Sequence, residues 1–276
     1  MKAMGAKTDI IIIGGGPAGV SAALTARRRN KSVRVIANPQ ETTALYKAKS
    51  IENYPGLQTS GAEMMRIFRE QLEQSGAELI QGRALSVLPI GKSIGVAVGN
   101  DYYEASAVIL ACGAGRKPVC SGEKEFLGRG VSYCATCDGM LYRGKTVAVI
   151  GKGAEVERDS AFLKSLGCTV HEFTGREKLE IHGAQRADKL MADGVSYDID
   201  CVFILADTVM PGSLVPGLEL QNGAVKTGKA METSVRGIFA AGDLTGLPHQ
   251  LGKAVGEGNV AGLSAVKYVD DLNKGE

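Results

Sequence analysis

Two glycine-rich turns, each entered from an apolar run and left by a helix-forming stretch, fix most of what this 276-residue chain can fold into. The first is Gly14-Gly15-Gly16-Pro17-Ala18-Gly19, directly after Ile10 to Ile13. The second is Gly151-Lys152-Gly153-Ala154-Glu155-Val156, after Thr146-Val147-Ala148-Val149-Ile150. In the first turn each glycine has its own task. Gly14 makes the tight turn, Gly16 lets the backbone approach a pyrophosphate, and Gly19 allows the helix to pack closely on the strand. Pro17 and Ala18 open that helix, whose free N–H groups and dipole favour phosphate charge. The next strand, Val33 to Ile36, ends at Asn38, where an acid usually binds ribose hydroxyls; Asn can still donate and accept such bonds. The pattern predicts an α/β chain with a dinucleotide site.

Composition narrows the classes. Charge is nearly balanced at +2, and hydrophobic residues make up 44%, which fits a soluble α/β protein of two units. No apolar stretch reaches membrane-spanning length, and the N-terminal residues lack the apolar core of a signal peptide, so a cytoplasmic, membrane-free protein is expected. Tryptophan is absent and aromatics are 5%, which argues against a base-stacking nucleic-acid platform. The dense basic run Arg27-Arg28-Arg29-Asn30-Lys31 falls at the first helix end, where cations complement the dipole; an acidic protein partner is the sharper alternative.

Between the two turns lies Cys134-Ala135-Thr136-Cys137-Asp138-Gly139. Two cysteines three apart at a helix start share one face, and the helix N-terminus lowers a thiolate pKa. Such a pair is a disulfide oxidoreductase centre or half of a zinc site. Zinc needs four ligands, and no second Cys-x-x-Cys or His-x-x-x-His exists; His171, His182 and His249 are scattered, so no metal is expected.

Three further segments carry a resemblance. Thr233 to Ala241 runs into Gly242-Asp243, with a helix-forming stretch from about Gln250 to Lys267, and Ala107 to Ala114 precedes the cysteine pair. Together they resemble the second flavin-binding motif and the crossover segment of the two-dinucleotide-domain flavoprotein disulfide reductases. The Cys134 to Gly139 segment, with Glu52-Asn53-Tyr54-Pro55-Gly56 and Leu218 to Gly223, is similar to the low-molecular-weight thioredoxin reductases over almost the whole chain. The resemblance implies two dinucleotide-binding, Rossmann-like domains of three-layer ββα type, the second inserted in the first and shortened. Their expected bounds are 1–115 with 232–276 for the FAD domain, and 116–231 for the redox domain. It also implies non-covalent FAD, a homodimer and thioredoxin as substrate. FAD contacts are expected at Gly14, Gly16, Pro17, Ala18, Gly19, Asn38, Leu45, Asn53, Gly242, Asp243, His249 and Gln250. Cys137 is implied as the flavin-facing sulfur, Cys134 as the exchange sulfur and Asp138 as the acid/base. Two departures touch the flavin surroundings: Thr42-Thr43-Ala44-Leu45 replaces a Gly-Gly-Gln-Leu turn, and His249-Gln250 replaces Arg-Gln.

The second glycine turn reads as damaged. Val156 occupies the place of a small third residue, and Glu155 adds charge where phosphates would lie. After Phe173 the family's basic 2′-phosphate cluster is reduced to Arg176, with Glu177 and Glu180 reversing the sign. The 27 residues from there to Cys201 are expected to hold one helix and one strand, with no room for a β-meander. No functional NADPH site is therefore expected. The pattern resembles the ferredoxin-dependent flavin thioredoxin reductases, close to the deeply rooted thioredoxin reductases, and implies ferredoxin as electron donor. An NADPH-fed reductase with an unorthodox site, a deeply rooted type with another donor and a non-catalytic flavin redox sensor are the alternatives.

Overall fold

The computed structural model describes residues 7–43, 45–114, 118–205 and 211–275, less the side chains of Thr42, Cys137 and Glu155. The chain divides into two compact units, Met1–Gly115 with Met210–Glu276, and Arg116–Val209.

The first unit opens with β1 (Thr8–Ile13), α1 (Pro17–Arg27) and β2 (Val33–Ala37), then α2 (Gly61–Gln74) and β3 (Glu78–Gln81). Three strands follow, β4 (Ala84–Ile90), β5 (Ser93–Val98) and β6 (Asp101–Leu110). Strand β1 is apolar without alternation because both of its faces are covered. It pairs in parallel with β2 on one side and β6 on the other. Strand β6 is the branch of the sheet: its first half pairs antiparallel with β5, and Val108 to Leu110 pair in parallel with a late strand of the chain.

The second unit contains β7 (Val131–Ser132), the short helix α3 (Ala135–Asp138), β8 (Thr146–Gly151), α4 (Ala154–Ser165) and β9 (Thr169–Phe173). Next come β10 (Leu179–Gly183), β11 (Ala187–Ala192), β12 (Val195–Asp198) and β13 (Cys201–Leu205). The parallel sheet runs β7-β13-β8-β9, while β10, β11 and β12 form a separate antiparallel meander. This corrects the sequence reading: the segment from Phe173 to Cys201 holds a meander and no helix. Tight turns make it fit, since Ala192 pairs with Val195 across only Asp193 and Gly194, both at positive φ. What the short segment lacks is a second crossover helix; one βαβ unit, β8-α4-β9, remains.

The chain returns through α5 (Pro211–Leu214), β14 (Leu220–Gln221), β15 (Ala224–Val225), β16 (Ile238–Ala240) and the long α6 (Leu251–Lys274). Strand β16 is the partner of β6. The return to the first unit falls at 210, not at 232. Leu214, Val215 and Val225 are buried, and Ser234 Oγ accepts from the Glu219 N–H at 2.9 Å, which ties this stretch to the segment before β16.

Helices α1 and α6 touch backbone to backbone. A Cβ on Gly258 would lie 2.1 Å from the Ala18 carbonyl oxygen, and Asn259 Nδ2 donates to Thr25 Oγ1 at 2.8 Å. The basic run after α1 is mostly spent locally. Arg27 Nη1 donates to the Lys31 carbonyl at 2.8 Å, Arg29 donates to the Thr25 carbonyl at 3.1 Å, and Lys31 pairs with Asp270. That is the helix-end reading of these cations.

Candidate functional site

The glycine turn after β1 is built by close approach. Gly14 has φ +116°, and a Cβ there would fall 2.1 Å from the Ala111 carbonyl oxygen at the end of β6. A Cβ on Gly19 would fall 1.8 Å from the Gly14 carbonyl oxygen, so α1 lies directly against the turn. Gly16 differs: its Cβ would meet nothing within 4 Å, and no side chain caps the α1 N-terminus. An open mouth in front of free helix N–H groups is what a pyrophosphate needs, so these residues fit the expected dinucleotide. Gly14→Ala should abolish flavin content, because positive φ and the carbonyl clash both oppose it. The ratio of flavin to protein absorbance in the purified variant checks this.

The other expected contacts come from several segments of the first unit. Asn38 follows β2 and is half-buried. Gly242 and Asp243 begin a 3-10 turn after β16, and a Cβ on Gly242 would lie 2.9 Å from Ala18 Cβ. Asn53 Nδ2 donates to Gln250 Oε1 at 2.8 Å, which joins two of the predicted residues at the uncapped N-terminus of α6. His249 is exposed beside them. Leu45 packs in the apolar cluster of Val20, Ile51 and Met64 and contributes shape to the segment rather than polarity. Ala44 lies outside the described residues.

In the second unit Cys134 stands immediately before α3. Its N–H donates to Ser132 Oγ at 3.1 Å, and the Ser132 hydroxyl donates to Asp138 Oδ2 at 2.7 Å. The Asp138 N–H returns to the Cys134 carbonyl at 3.2 Å. Ser132 thus fixes the carboxylate against the start of the cysteine segment, a role the sequence reading missed; the only signal was a hydroxyl two residues before the cysteine. Cys134 is disulfide-bonded, whereas Cys112, Cys120, Cys168 and Cys201 are in no disulfide. The Cys137 side chain lies outside the described set. Burial pushes the Cys112 thiol up to about 11, and burial, with the charges of Asp138 and Asp200, pushes Cys201 up to about 12. Neither is a thiolate near neutral pH, so neither competes as a nucleophile. Among the described residues no group of His, Cys, Asp and Glu is placed to hold a metal, and no helix is long and apolar enough to cross a membrane.

At the second glycine turn Val156 is buried with Val147, Val149, Leu163, Phe203 and Leu205. Its Cγ2 would lie 2.8 Å from a Cβ on Gly151. The valine therefore wedges between α4 and β8 instead of lying in the mouth of the turn. After β9 the loop closes on an acid: the Thr174 N–H and hydroxyl both donate to Glu177 Oε1, at 3.3 and 3.0 Å. Hydrogen bonds from its own backbone N–H, and then from Thr174 and the Arg176 N–H, hold the Glu177 carboxyl below its usual range.

Residues 8–187 and 163–258 match the family model described as pyridine nucleotide-disulphide oxidoreductase. The chain is similar to the thioredoxin reductase of Bacillus subtilis, 32% identical over 96% of each chain. Among solved structures it resembles a ferredoxin-flavin thioredoxin reductase from Clostridium acetobutylicum, with 37% identity, a TM-score of 0.87, and coverage of 97% of this chain and 99% of that one. Against the Lactococcus lactis thioredoxin reductase in its FR conformation, identity is 26% and the TM-score 0.60, covering 96% of this chain and all of that one.

Proposed function

Because the chain belongs to the pyridine nucleotide-disulphide oxidoreductases as a flavoprotein disulfide reductase of thioredoxin reductase type, we propose that its electrons come from reduced ferredoxin and pass through FAD and a Cys134–Cys137 pair to thioredoxin. FAD, when bound, converts single-electron delivery into the electron pair that a disulfide requires. The open turn at Gly16, with Asn38, Asp243 and the α6 N-terminus, holds the cofactor. The protein works as a cytoplasmic homodimer.

The observation that carries the disulfide chemistry is the Ser132-held carboxylate beside Cys134. In the reduced pair, the Cys134 thiolate attacks one sulfur of the thioredoxin disulfide. A mixed disulfide forms and a thioredoxin thiolate leaves, taking up a proton. The Cys137 thiolate then attacks Cys134 Sγ, closing the pair and releasing the second thioredoxin thiol. Asp138 carries the proton between these sulfurs. Asp138→Asn should slow thioredoxin reduction by roughly 10²–10⁴. Stopped-flow reoxidation by thioredoxin tests this, and an unchanged rate with a small stability loss would leave Asp138 as a helix-end charge only.

The ferredoxin assignment is supported by the buried Val156, the acid-tied loop at Glu177 and the likeness to the Clostridium acetobutylicum protein. One observation favours NADPH instead: Gly153 has open space around it and no side chain caps α4. The donor experiment in the Discussion separates the two.

A further inference from the structure

Gly242, which precedes Asp243, is gripped through both its N–H and its carbonyl by side chains from α6. Its N–H donates to Glu257 Oε2 at 2.9 Å, and its carbonyl accepts from Lys253 Nζ at 3.0 Å. Lys253 and Glu257 are one helical turn apart and form an ion pair at 3.1 Å. The Thr245 hydroxyl, at the end of the 3-10 turn, lies 2.8 Å from both charged groups. The pair is well covered, with side chains only 18% and 20% exposed. Gly242 has φ +84° and rests against Ala18 in the first turn of α1. One residue therefore marks the meeting of the Gly-Asp turn, the helix behind the glycine loop, and α6.

A covered ion pair is a poor device for stability, since desolvation offsets most of its Coulomb gain. It is a good device for direction. The donor and the acceptor of a single residue, in the two peptides that flank its Cα, are each satisfied by a charge-assisted bond, which is shorter and stronger than a neutral one. Fixing the two peptides that flank Gly242 fixes where the chain enters Asp243, and hence where that carboxylate points. Resting on the FAD reading above, the structure assigns Lys253 and Glu257 as positioning residues of the cofactor site: through Gly242 they hold Asp243 toward the hydroxyl-bearing part of the dinucleotide. Neither residue belongs to the glycine turn, and neither needs to touch the cofactor.

Release of FAD from the purified full-length holoprotein, followed by the return of flavin fluorescence, tests the assignment. Lys253→Met and Glu257→Leu should each speed release on the order of 10- to 100-fold, because each leaves a covered charge without its counter-ion and removes a charge-assisted bond to Gly242. The double variant should lose less than the product of the two, since no unpaired charge remains. Amide hydrogen exchange at Gly242 should accelerate in Glu257→Leu. A pair that merely staples α6 would lower the melting temperature while leaving FAD release and Gly242 exchange unchanged, and that result overturns the proposal. If a charge deletion does not fold, Thr245→Val removes only the bridging hydroxyl; a several-fold faster release supports the assignment and an unchanged one counts against it. A wild-type protein purified without flavin would defeat the FAD reading itself, whereas FAD held equally by wild type and variants defeats only the positioning role.

Discussion

Reduced ferredoxin is expected to bleach the flavin absorbance of this protein anaerobically and to sustain thioredoxin turnover, while NADPH at millimolar concentration does neither at a useful rate. A pyridine nucleotide needs close strand–helix packing, an anion mouth, and a cationic receiver for its 2′-phosphate. Here Val156 fills the packing position, and the loop after β9 is tied by an ionised Glu177. Arg176 is the one arginine left in that loop. The second unit also keeps a single βαβ element beside its meander. The open α4 N-terminus at Gly153 can attract an anion, but a helix end supplies only about 0.3–1 kcal/mol. Energetics permit the alternative donor. A plant-type cluster near −400 mV lies roughly 130 mV below thioredoxin near −270 mV, about 6 kcal/mol for an electron pair. Turnover with ferredoxin should weaken as salt is added, since exposed charge pairs are screened beyond ~10 Å at 0.1 M. Rapid flavin reduction by NADPH with a micromolar Michaelis constant would restore the ordinary reductase.

How far the sequence disclosed this structure depended on whether a residue's task is local. Gly14, Gly16 and Gly19 were legible because a turn, an open mouth and a helix contact each demand a missing side chain at a fixed spacing. The buried strands β1, β8 and β13 were legible as unbroken apolar runs. The meander was not read, although its cue was present: Asp193-Gly194, between Leu190 and Ala192 on one side and Val195 and Tyr197 on the other, is a two-residue hairpin signal. Counting residues against average element lengths hid it. The domain return at 210 was missed because Leu214, Val215 and Val225 form no periodic pattern; their burial is decided by partners distant in sequence. Ser132, Lys253 and Glu257 were missed for the same reason. A serine before a cysteine, or a lysine and glutamate four apart on a helix, reads as a solvated pair until the fold places Asp138 and Gly242 against them.

Cys134→Ser and Cys137→Ser should each eliminate thioredoxin reduction and leave reduction of the flavin by ferredoxin intact, because the pair acts after the cofactor. No other cysteine can substitute. Cys120, Cys168 and Cys201 are buried, and burial keeps the Cys112 and Cys201 thiols protonated. The two variants should then part ways. Cys137→Ser retains the exchange sulfur at Cys134, whose backbone Ser132 holds in place. It should trap a mixed disulfide with a thioredoxin that lacks its resolving cysteine, because no second thiolate is present to attack Cys134 Sγ. Cys134→Ser retains only Cys137 and should trap none. Non-reducing electrophoresis with mass spectrometry of the cross-linked peptide reads the difference. Trapping confined to Cys134→Ser would reverse the two roles, and turnover surviving in either variant would remove the pair from the path altogether.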